Sequence, residues 1–526
     1  MQNKAHKIYL FLIIVILSLF AVWCAIFIYK TSFLIDGVRY YSLFDDAMIS
    51  MKYAWNFSRG NGLVWNRFDN VEGYTNPMWV FIMATFNFIF EDKLAVLFIQ
   101  ILGVFILLGI IYSTSKLLFE INFTDKKYKY LHLLFTILLL VSYYPMLYWT
   151  LMGMETGLLT LLIILSFLNA VKYIKTENLQ SIALLTVFSI LAYFTRPDSI
   201  YIAIVIYGFI LSVIKTKKNY IAKFITIYIL FITAHIIFRI SYYGDLVPNT
   251  VILKVFGFPF FERIQNGWTF TKLYTAENFI LIFITLFSVL YNSSRIKVLL
   301  FSVVATTYFY QIYVGGDPWY YWRFFVPVTP MIFIISSAEL INIAKKISEY
   351  VIFKHANSNY LLIPFCLTIL SVIFLTTNER FLNQIFFVNQ PYQVEYNQIN
   401  VNYALKLKEI TNETATIGVI WAGTVPYYSQ RDGIDFLGKS DRYISSLKPD
   451  LKWSDTEFGM KTFPGHNKYD LEYSIIKLKP DVIERADWGS QSVYNNPNFN
   501  YEVFAYKGVE FLVKKDSLNI NWQLIK

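Results

Sequence analysis

Residues 8–29 read IYLFLIIVILSLFAVWCAIFIY, with no charge anywhere in the run. At about 1.5 Å of rise per residue, a helix of this length crosses the ~30 Å hydrocarbon core of a bilayer. The run is longer and more evenly apolar than the core of a cleaved signal. No small-residue cleavage site follows it, so it is read as a retained first span. Eleven further apolar runs follow, at 77–90, 94–118, 131–145, 156–171, 180–194, 199–214, 221–240, 276–291, 298–314, 324–342 and 360–377. Composition agrees with them. Among 526 residues, 56% are hydrophobic and 16% charged, and the mean hydropathy is +0.45, which leaves too little polar surface to cover a soluble protein of this size.

The net charge of +10 does not describe a nucleic-acid-binding face, because the basic residues sit in short connectors between apolar runs. These are Lys4 and Lys7; Lys126, Lys127 and Lys129; Lys215, Lys217 and Lys218; Arg295 and Lys297; and Lys345, Lys346 and Lys354. Basic connectors face the cytoplasm, which puts the N-terminus inside and everything after the last run outside. Such a chain crosses an odd number of times. Of the twelve runs about eleven are therefore expected to cross, and the exception is 77–90 or one of the two runs flanking Pro145. Cys24 and Cys366 both lie in apolar runs and form neither a disulfide framework nor a metal-ligand spacing. The chain has no HExxH and no GxxxxGK[ST], so zinc hydrolysis and ATP-driven transport have no support.

Two regions interrupt the apolar pattern. Residues 31–76 form a connection far longer than helix bundles need, and long connections tend to be functional. From about residue 378 the composition becomes that of a soluble α/β domain. A helix is expected near 400–409, a strand near 415–421, and a hairpin of 501–506 with 509–514 across Lys507-Gly508. The expected organisation is a membrane domain over 1–377 and an extracytoplasmic domain over 378–526.

Residues 44–80 read FDDAMISMKYAWNFSRGNGLVWNRFDNVEGYTNPMWV. Asp45, Asp46 and Glu72 lie close to a membrane interface, where carboxylates are costly unless hydrated, paired or functional. Trp55, Trp65, Tyr74 and Trp79 suit either an interface or the face of a sugar.

This stretch resembles the signature of a bacterial family in the GT-C superfamily. Its known members are the terminal β-(1→2)-arabinofuranosyltransferases of actinobacterial cell-wall arabinan, and it includes relatives associated with flagellar motor control. Six further motifs match in the same order: GMETG at 153–157, TRPD at 195–198, YYGDLVPNTVILKV at 242–255, GGDPWYYWRFFVPVTP at 315–330, IDFLGKSDRYI at 434–444 and FPGHNKYD at 463–470. The resemblance implies a GT-C fold of about eleven transmembrane helices with a C-terminal extracytoplasmic domain. It also implies a polyprenyl-phosphate sugar donor and a catalytic carboxylate in the first outer loop. By position, Asp45 is the base and Asp46 its partner or substitute. The chain departs from the family pattern at Pro318-Trp319-Tyr320-Tyr321-Trp322, a more aromatic run that leaves a different sugar or acceptor open.

The chemistry needs a base for the acceptor hydroxyl and positive charge for the departing phosphate. Arg196 and Arg323 can fork onto a phosphate, and Lys254 can meet it as a point charge. Each has a plainer alternative: an Arg196–Asp198 pair closing helix ends, or a snorkelling Lys254. Glu72, Tyr74, Glu155, Asp198, Asp245, Asn249, Asp317 and His466 are the expected substrate-binding residues, with Asp470 a carboxylate partner for His466 or the histidine simply stabilising a turn. Mg²⁺ or Mn²⁺ is compatible with the carboxylates, but their spacing does not demand a metal; no other cofactor is expected.

The expected function is transfer of a sugar, such as arabinofuranose, from a polyprenyl-phosphate lipid to a glycan or glycoconjugate at the outer face of the bacterial cytoplasmic membrane. Two alternatives differ in what they require. A flippase of lipid-linked sugars calls for inverted halves with broken helices, a symmetry the sequence lacks. A non-catalytic envelope or flagellar assembly factor would tolerate loss of Asp45.

Overall fold

The computed structural model describes residues 2–67, 69–351, 359–454 and 459–525. Lys354 lies outside them. Every one of the twelve apolar runs is helical. Among the described residues, seven helices are long and apolar enough to cross a membrane, and up to nine if each of two bent pairs counts once. One pair, Lys126–Ser142 with Tyr144–Leu151, bends by 56° where Pro145 interrupts the ladder. In the other, Phe260–Glu277 turns by 89° into Phe279–Tyr291.

Three apolar helices are shorter. Leu179–Thr195 and Pro197–Val213 still run the length of the bundle: Glu177, before the first, meets Thr216 and Lys217, after the second, while Arg196 between them reaches the opposite end. Pro77–Ile89 behaves differently. Asn76 at its start binds Glu155, and Asn87 near its end accepts a hydrogen bond from Tyr427 of the C-terminal region. Both ends therefore lie on the same side of the bundle. Of the three short helices, this one therefore does not run the length of the bundle.

The 31–76 connection is more ordered than a loop. Strands β1 (Phe33–Ile35) and β2 (Val38–Tyr40) form a small hairpin, and Asp45–Ser58 is a helix. Two carboxylates in its first turn complement the positive end of the helix dipole. Nine of its residues are buried, from Ala47 to Asn56, so it is wedged between the membrane bundle and the C-terminal region.

Beyond the last span, helix Val394–Ile410 leads into a five-stranded mixed sheet. Strand β3 (Thr416–Val419) pairs in parallel with β4 (Asp432–Asp435) and with β5 (Val482–Ile483). After a two-stranded excursion, β6 (Asp487–Trp488) with β7 (Gln491–Ser492), the hairpin of β8 (Tyr501–Tyr506) and β9 (Val509–Lys514) completes the order β4-β3-β5-β9-β8. Its turn is Lys507-Gly508, both left-handed at φ 47° and 77°, as a two-residue hairpin turn requires. The sheet domain is anchored to the membrane bundle by buried bonds: the Lys52 ammonium donates to Arg431 O, and the Trp65 indole to Ala422 O.

Close helix approach depends on individual glycines. A Cβ on Gly267, in Phe260–Glu277, would sit 2.4 Å from the backbone oxygen of Ile312 and 2.6 Å from that of Gln311. Gly267→Val is expected to force these helices apart at a cost of about 1–3 kcal/mol, read as a lower melting temperature in detergent. Gly208→Val, where a side chain meets open space, serves as the control. Equal effects of the two substitutions would remove the close-approach argument.

Candidate functional site

The end of the bundle that meets the C-terminal domain carries an ionic cluster built from three distant stretches of sequence. Arg323 sends Nη1 to Asp46 Oδ2 at 2.8 Å and Nη2 to Asp317 Oδ1 at 2.7 Å. The other oxygen of Asp46, Oδ1, accepts from Lys439 Nζ at 2.7 Å. Arg323, Asp317 and Lys439 are buried, and Asp46 is half-buried. Burial opposes charge on Asp46, but Lys439, Arg323 and Lys254 outweigh it and hold its carboxyl well below the usual carboxylate range.

Arg323 is aimed by strained backbone. Tyr321 and Trp322, which precede it, adopt left-handed φ of 69° and 49°, at a cost of roughly 1–3 kcal/mol each for bulky residues. The surroundings enforce this. The Trp149 indole donates to Tyr321 O at 2.9 Å, the Tyr321 hydroxyl to Gln384 at 2.8 Å, and the Trp322 indole to Glu277.

Asp45, one residue from Asp46, has a different environment. Its Oδ1 accepts the backbone N–H of Thr424 at 2.8 Å, while Oδ2 is buried without a partner. Burial pushes its carboxyl above the ordinary value, against the Thr424 bond and the Lys439 charge. The Thr424 loop reaches this close only because residue 423 is glycine: a Cβ there would lie 2.8 Å from Asp45 Oδ1. On its far side the loop is held by Glu484, which accepts from Ile420 N at 2.7 Å.

A second ionic cluster stands beside the first. Arg196 grips Asp198 with two bonds of 3.0 and 2.8 Å and Glu155 with one of 2.9 Å. The helix-end pair expected for Arg196 and Asp198 is thus formed, with Glu155 orienting the guanidinium. Asn76 bonds the other Glu155 oxygen at 2.9 Å, and Tyr310 bonds Asp198 at 3.2 Å.

Two cavities meet at the aspartate pair. The inner one, about 210 Å³, is lined by Asp46, Tyr74, Glu155, Arg196, Lys254 and Arg323, among others. Lys254 forms no ion pair there among the described residues, and burial together with nearby Arg323 lowers its ammonium to about 8. The outer cavity, about 590 Å³, is lined by Asp45 and Asp46 and by aromatic side chains including Trp319, Tyr396, Trp421 and Trp488. Buried polar atoms lacking partners concentrate here: Asp45 Oδ2, Asp317 Oδ2, Arg323 Nε, Thr250 Oγ1 and Gln311 Oε1. Native interiors satisfy almost all such atoms, so a group of them around cavities marks a place for a ligand.

Other candidates from the sequence lie elsewhere. Glu72 forms a buried pair with Arg239, Asp245 pairs with Arg442, and Asn249 donates to the backbone oxygens of Gly438, Lys439 and Asp441. The first ties its loop to the helix Lys218–Tyr243, and the other two hold loops of the membrane domain to the C-terminal domain. His466 does not pair with Asp470, which accepts from Tyr443 instead. Its ring stacks on Phe463 and abuts Trp319 and Trp421, and burial depresses its pKa well below the ordinary value, which leaves a neutral imidazole. Sequence reasoning missed Lys439, Thr424 and Glu484. The motif IDFLGKSDRYI marked the neighbourhood of Lys439, but no local pattern tied any of the three to residues some 380–440 positions earlier. No three His, Cys, Asp or Glu side chains converge as metal ligands among the described residues.

No known family's sequence profile matches this chain, and no relative is found among curated protein sequences. Solved structures do match. ArnT from Cupriavidus metallidurans bound to undecaprenyl phosphate superposes with a TM-score of 0.59 at 12% identity, over 95% of this chain and 97% of that one. ArnT from the same organism in the apo state gives a TM-score of 0.50 at 10% identity, over 80% of this chain and 85% of that one. At such identities the likeness is one of fold. The chain is a multi-pass membrane protein of the GT-C fold, with a strand-containing C-terminal domain.

Proposed function

We propose that the protein transfers a sugar from a polyprenyl-phosphate donor to a hydroxyl of a cell-envelope glycan or glycoconjugate, at the outer face of the bacterial cytoplasmic membrane. One observation carries this: Asp45 offers an unpartnered carboxylate oxygen where a cation-lined cavity meets an aromatic-lined one. The likeness to a protein whose structure holds undecaprenyl phosphate supports the donor class.

In this reading the donor phosphate lies in the inner cavity. Lys254, with no ion-pair partner among the described residues, and Arg323, with an unpartnered Nε, face its charge. Arg196 shapes the wall through Glu155 and Asp198. An apolar groove lined by Met78, Phe81, Ile82, Thr85, Leu191 and Phe194 adjoins Arg196 in the chain and suits the start of a prenyl tail. The acceptor sugar enters the outer cavity against Trp319, Trp421 and Trp488. Its hydroxyl oxygen attacks the anomeric carbon as the bond from that carbon to the phosphate oxygen breaks. The electron pair leaves with the phosphate, and the hydroxyl proton passes to Asp45 Oδ2. The products are a new glycoside and a polyprenyl phosphate. Asp46 is the weaker base, because Arg323 and Lys439 engage its two oxygens and hold its pKa low; its part is to fix Arg323 and Lys439. A pentofuranose such as arabinofuranose is the first sugar to test. A divalent metal, if used, would enter among these same carboxylates.

A transfer assay in nanodiscs, with a panel of short-chain polyprenyl-phosphate sugars, tests this. Asp45→Asn is expected to lower turnover by about 10²–10⁴-fold, and by more than Asp46→Asn. Absence of turnover with every donor, or a larger loss in Asp46→Asn, would sink the assignment.

The pH profile provides a separate check. The base must be deprotonated, and burial raises the Asp45 pKa above 3.8. The acid limb of kcat/KM is therefore expected at a pH above the ordinary aspartate range, with activity lost as pH falls through it. An acid limb at or below pH 3.8 would contradict a buried base.

A further inference from the structure

The inner cavity is walled mainly by the membrane domain, yet one of its cations comes from outside it. Lys439 belongs to the turn after strand β4, in the C-terminal domain, and only 7% of it is exposed. We propose that Lys439 is a ligand of the donor phosphate, so that the C-terminal domain completes the donor site; the inference rests on the polyprenyl-phosphate reading above.

Three observations carry it. The first is placement. Lys439 lines the same cavity as Lys254 and Arg323 and meets Asp46 at 2.7 Å. A lysine ammonium has three N–H donors. Asp46 takes one, and the other two have no protein partner among the described residues.

The second is rigidity. The Asn249 side chain donates to the backbone oxygens of Gly438 and Lys439, at 2.9 and 3.1 Å. Asp435 accepts from Ser440 N at 2.7 Å. Gly73 of the first outer loop packs so near that a Cβ there would be 2.8 Å from Lys439 O. The turn is therefore fixed from both domains, and a pre-positioned cation binds an anion without first losing freedom.

The third is charge. Lys254, Arg323 and Lys439 border one buried cavity, and Arg323 and Lys439 pair with the carboxylates of Asp46 and Asp317. Arg196 on the same wall is matched by Glu155 and Asp198, which leaves Lys254 as the lining cation without an ion pair among the described residues. Burial depresses the Lys254 pKa most, and the like charges of Arg323 and Lys439 add to it, against Asp317 and Asp46. A buried cation without an ion pair is unfavourable until an anion enters, and a phosphate has oxygens enough to meet Lys254, Arg323 and Lys439 together.

The competing account makes Lys439 only the counter-ion of Asp46. Binding of a sugar-free short-chain polyprenyl monophosphate to the full-length protein in detergent, followed by tryptophan fluorescence, separates the two. Lys439→Gln is expected to weaken binding at least tenfold, and Lys439→Arg to keep it within about threefold. The double variant Asp46→Asn with Lys439→Gln neutralises both partners. It also remains testable if the single Gln variant fails to fold, as judged by size-exclusion chromatography. A phosphate ligand predicts that the double variant stays weak; a counter-ion role predicts recovery. Unchanged affinity in Lys439→Gln, or recovery in the double variant, overturns the proposal and leaves the donor reading standing. Failure of the wild-type protein to bind polyprenyl phosphate overturns the donor reading, and this inference with it.

Discussion

The ionic site where the helical bundle meets the C-terminal domain is organised around the buried guanidinium of Arg323. It spans Asp46, from the first outer loop, and Asp317, six residues before it, and through Asp46 it reaches Lys439 of the C-terminal domain. Breaking one arm of such a buried arrangement typically costs about 3–5 kcal/mol, because the remaining charge is left unpaired. The geometry is paid for by two strained aromatic residues and by the indole and hydroxyl bonds that hold them. Strain of this kind persists only where the surroundings over-determine it, and here the surroundings are two long-range contacts, Trp149 and Gln384. The membrane bundle and the segment after its last helix thus cooperate to aim one side chain.

Adjacent aspartates with opposite fates follow from this arrangement. Asp46 is held ionised by cations on both oxygens. Asp45 receives a single backbone N–H and is otherwise desolvated, with one oxygen left free. Two like groups one residue apart are pushed to different pKa values by different neighbours, and that is how an acid–base pair acquires distinct roles. The C-terminal domain makes the distinction, since both Thr424 and Lys439 belong to it. Deleting the domain would remove a ligand from each aspartate, so it forms part of the site and is more than a cover over it.

The sequence made the membrane part of this fold legible because lipid imposes a strong and simple constraint. Apolar length marks the helices and basic connectors mark their ends. The expectation that one short run stays on one side finds a counterpart in 77–90, whose Asn76 and Asn87 contacts both lie at one end of the bundle. The C-terminal hairpin was equally plain, from its alternation and its Lys507-Gly508 turn. The site was legible only in part. Asp45, Asp46, Glu155, Arg196, Asp198, Lys254, Asp317 and Arg323 were all marked, and they do gather around the two cavities. Glu72, Asp245 and Asn249 carried the same polar signal, but Glu72 ties its loop to Arg239 of the membrane domain, and Asp245 and Asn249 join loops to the C-terminal domain. A polar residue near an interface looks the same in sequence whether it binds a substrate or a neighbouring loop. Lys439, Thr424 and Glu484 were hidden for the converse reason: their importance comes from docking across hundreds of residues.

The aromatic run that departs from the family pattern, Trp319 to Trp322, divides into two uses once its surroundings are known. Tyr321 and Trp322 point into bonds that fix the Arg323 backbone, an internal task that says nothing about which sugar is carried. Trp319 and Tyr320 line the outer cavity, where Trp319 packs edge-on to His466 and near Trp421. The inner cavity, where the donor phosphate would lie, receives none of the four. Aromatic faces recognise pyranose and furanose rings through shape and C–H contact, with little regard for charge. On the proposed reading the departure therefore bears on the acceptor side, since the cavity that holds Lys254, Arg323 and Lys439 is lined by none of these four aromatic residues. On that reading a change of acceptor would need no change around the phosphate, because the two cavities share only Asp46 among their lining residues, next in the chain to the proposed base Asp45.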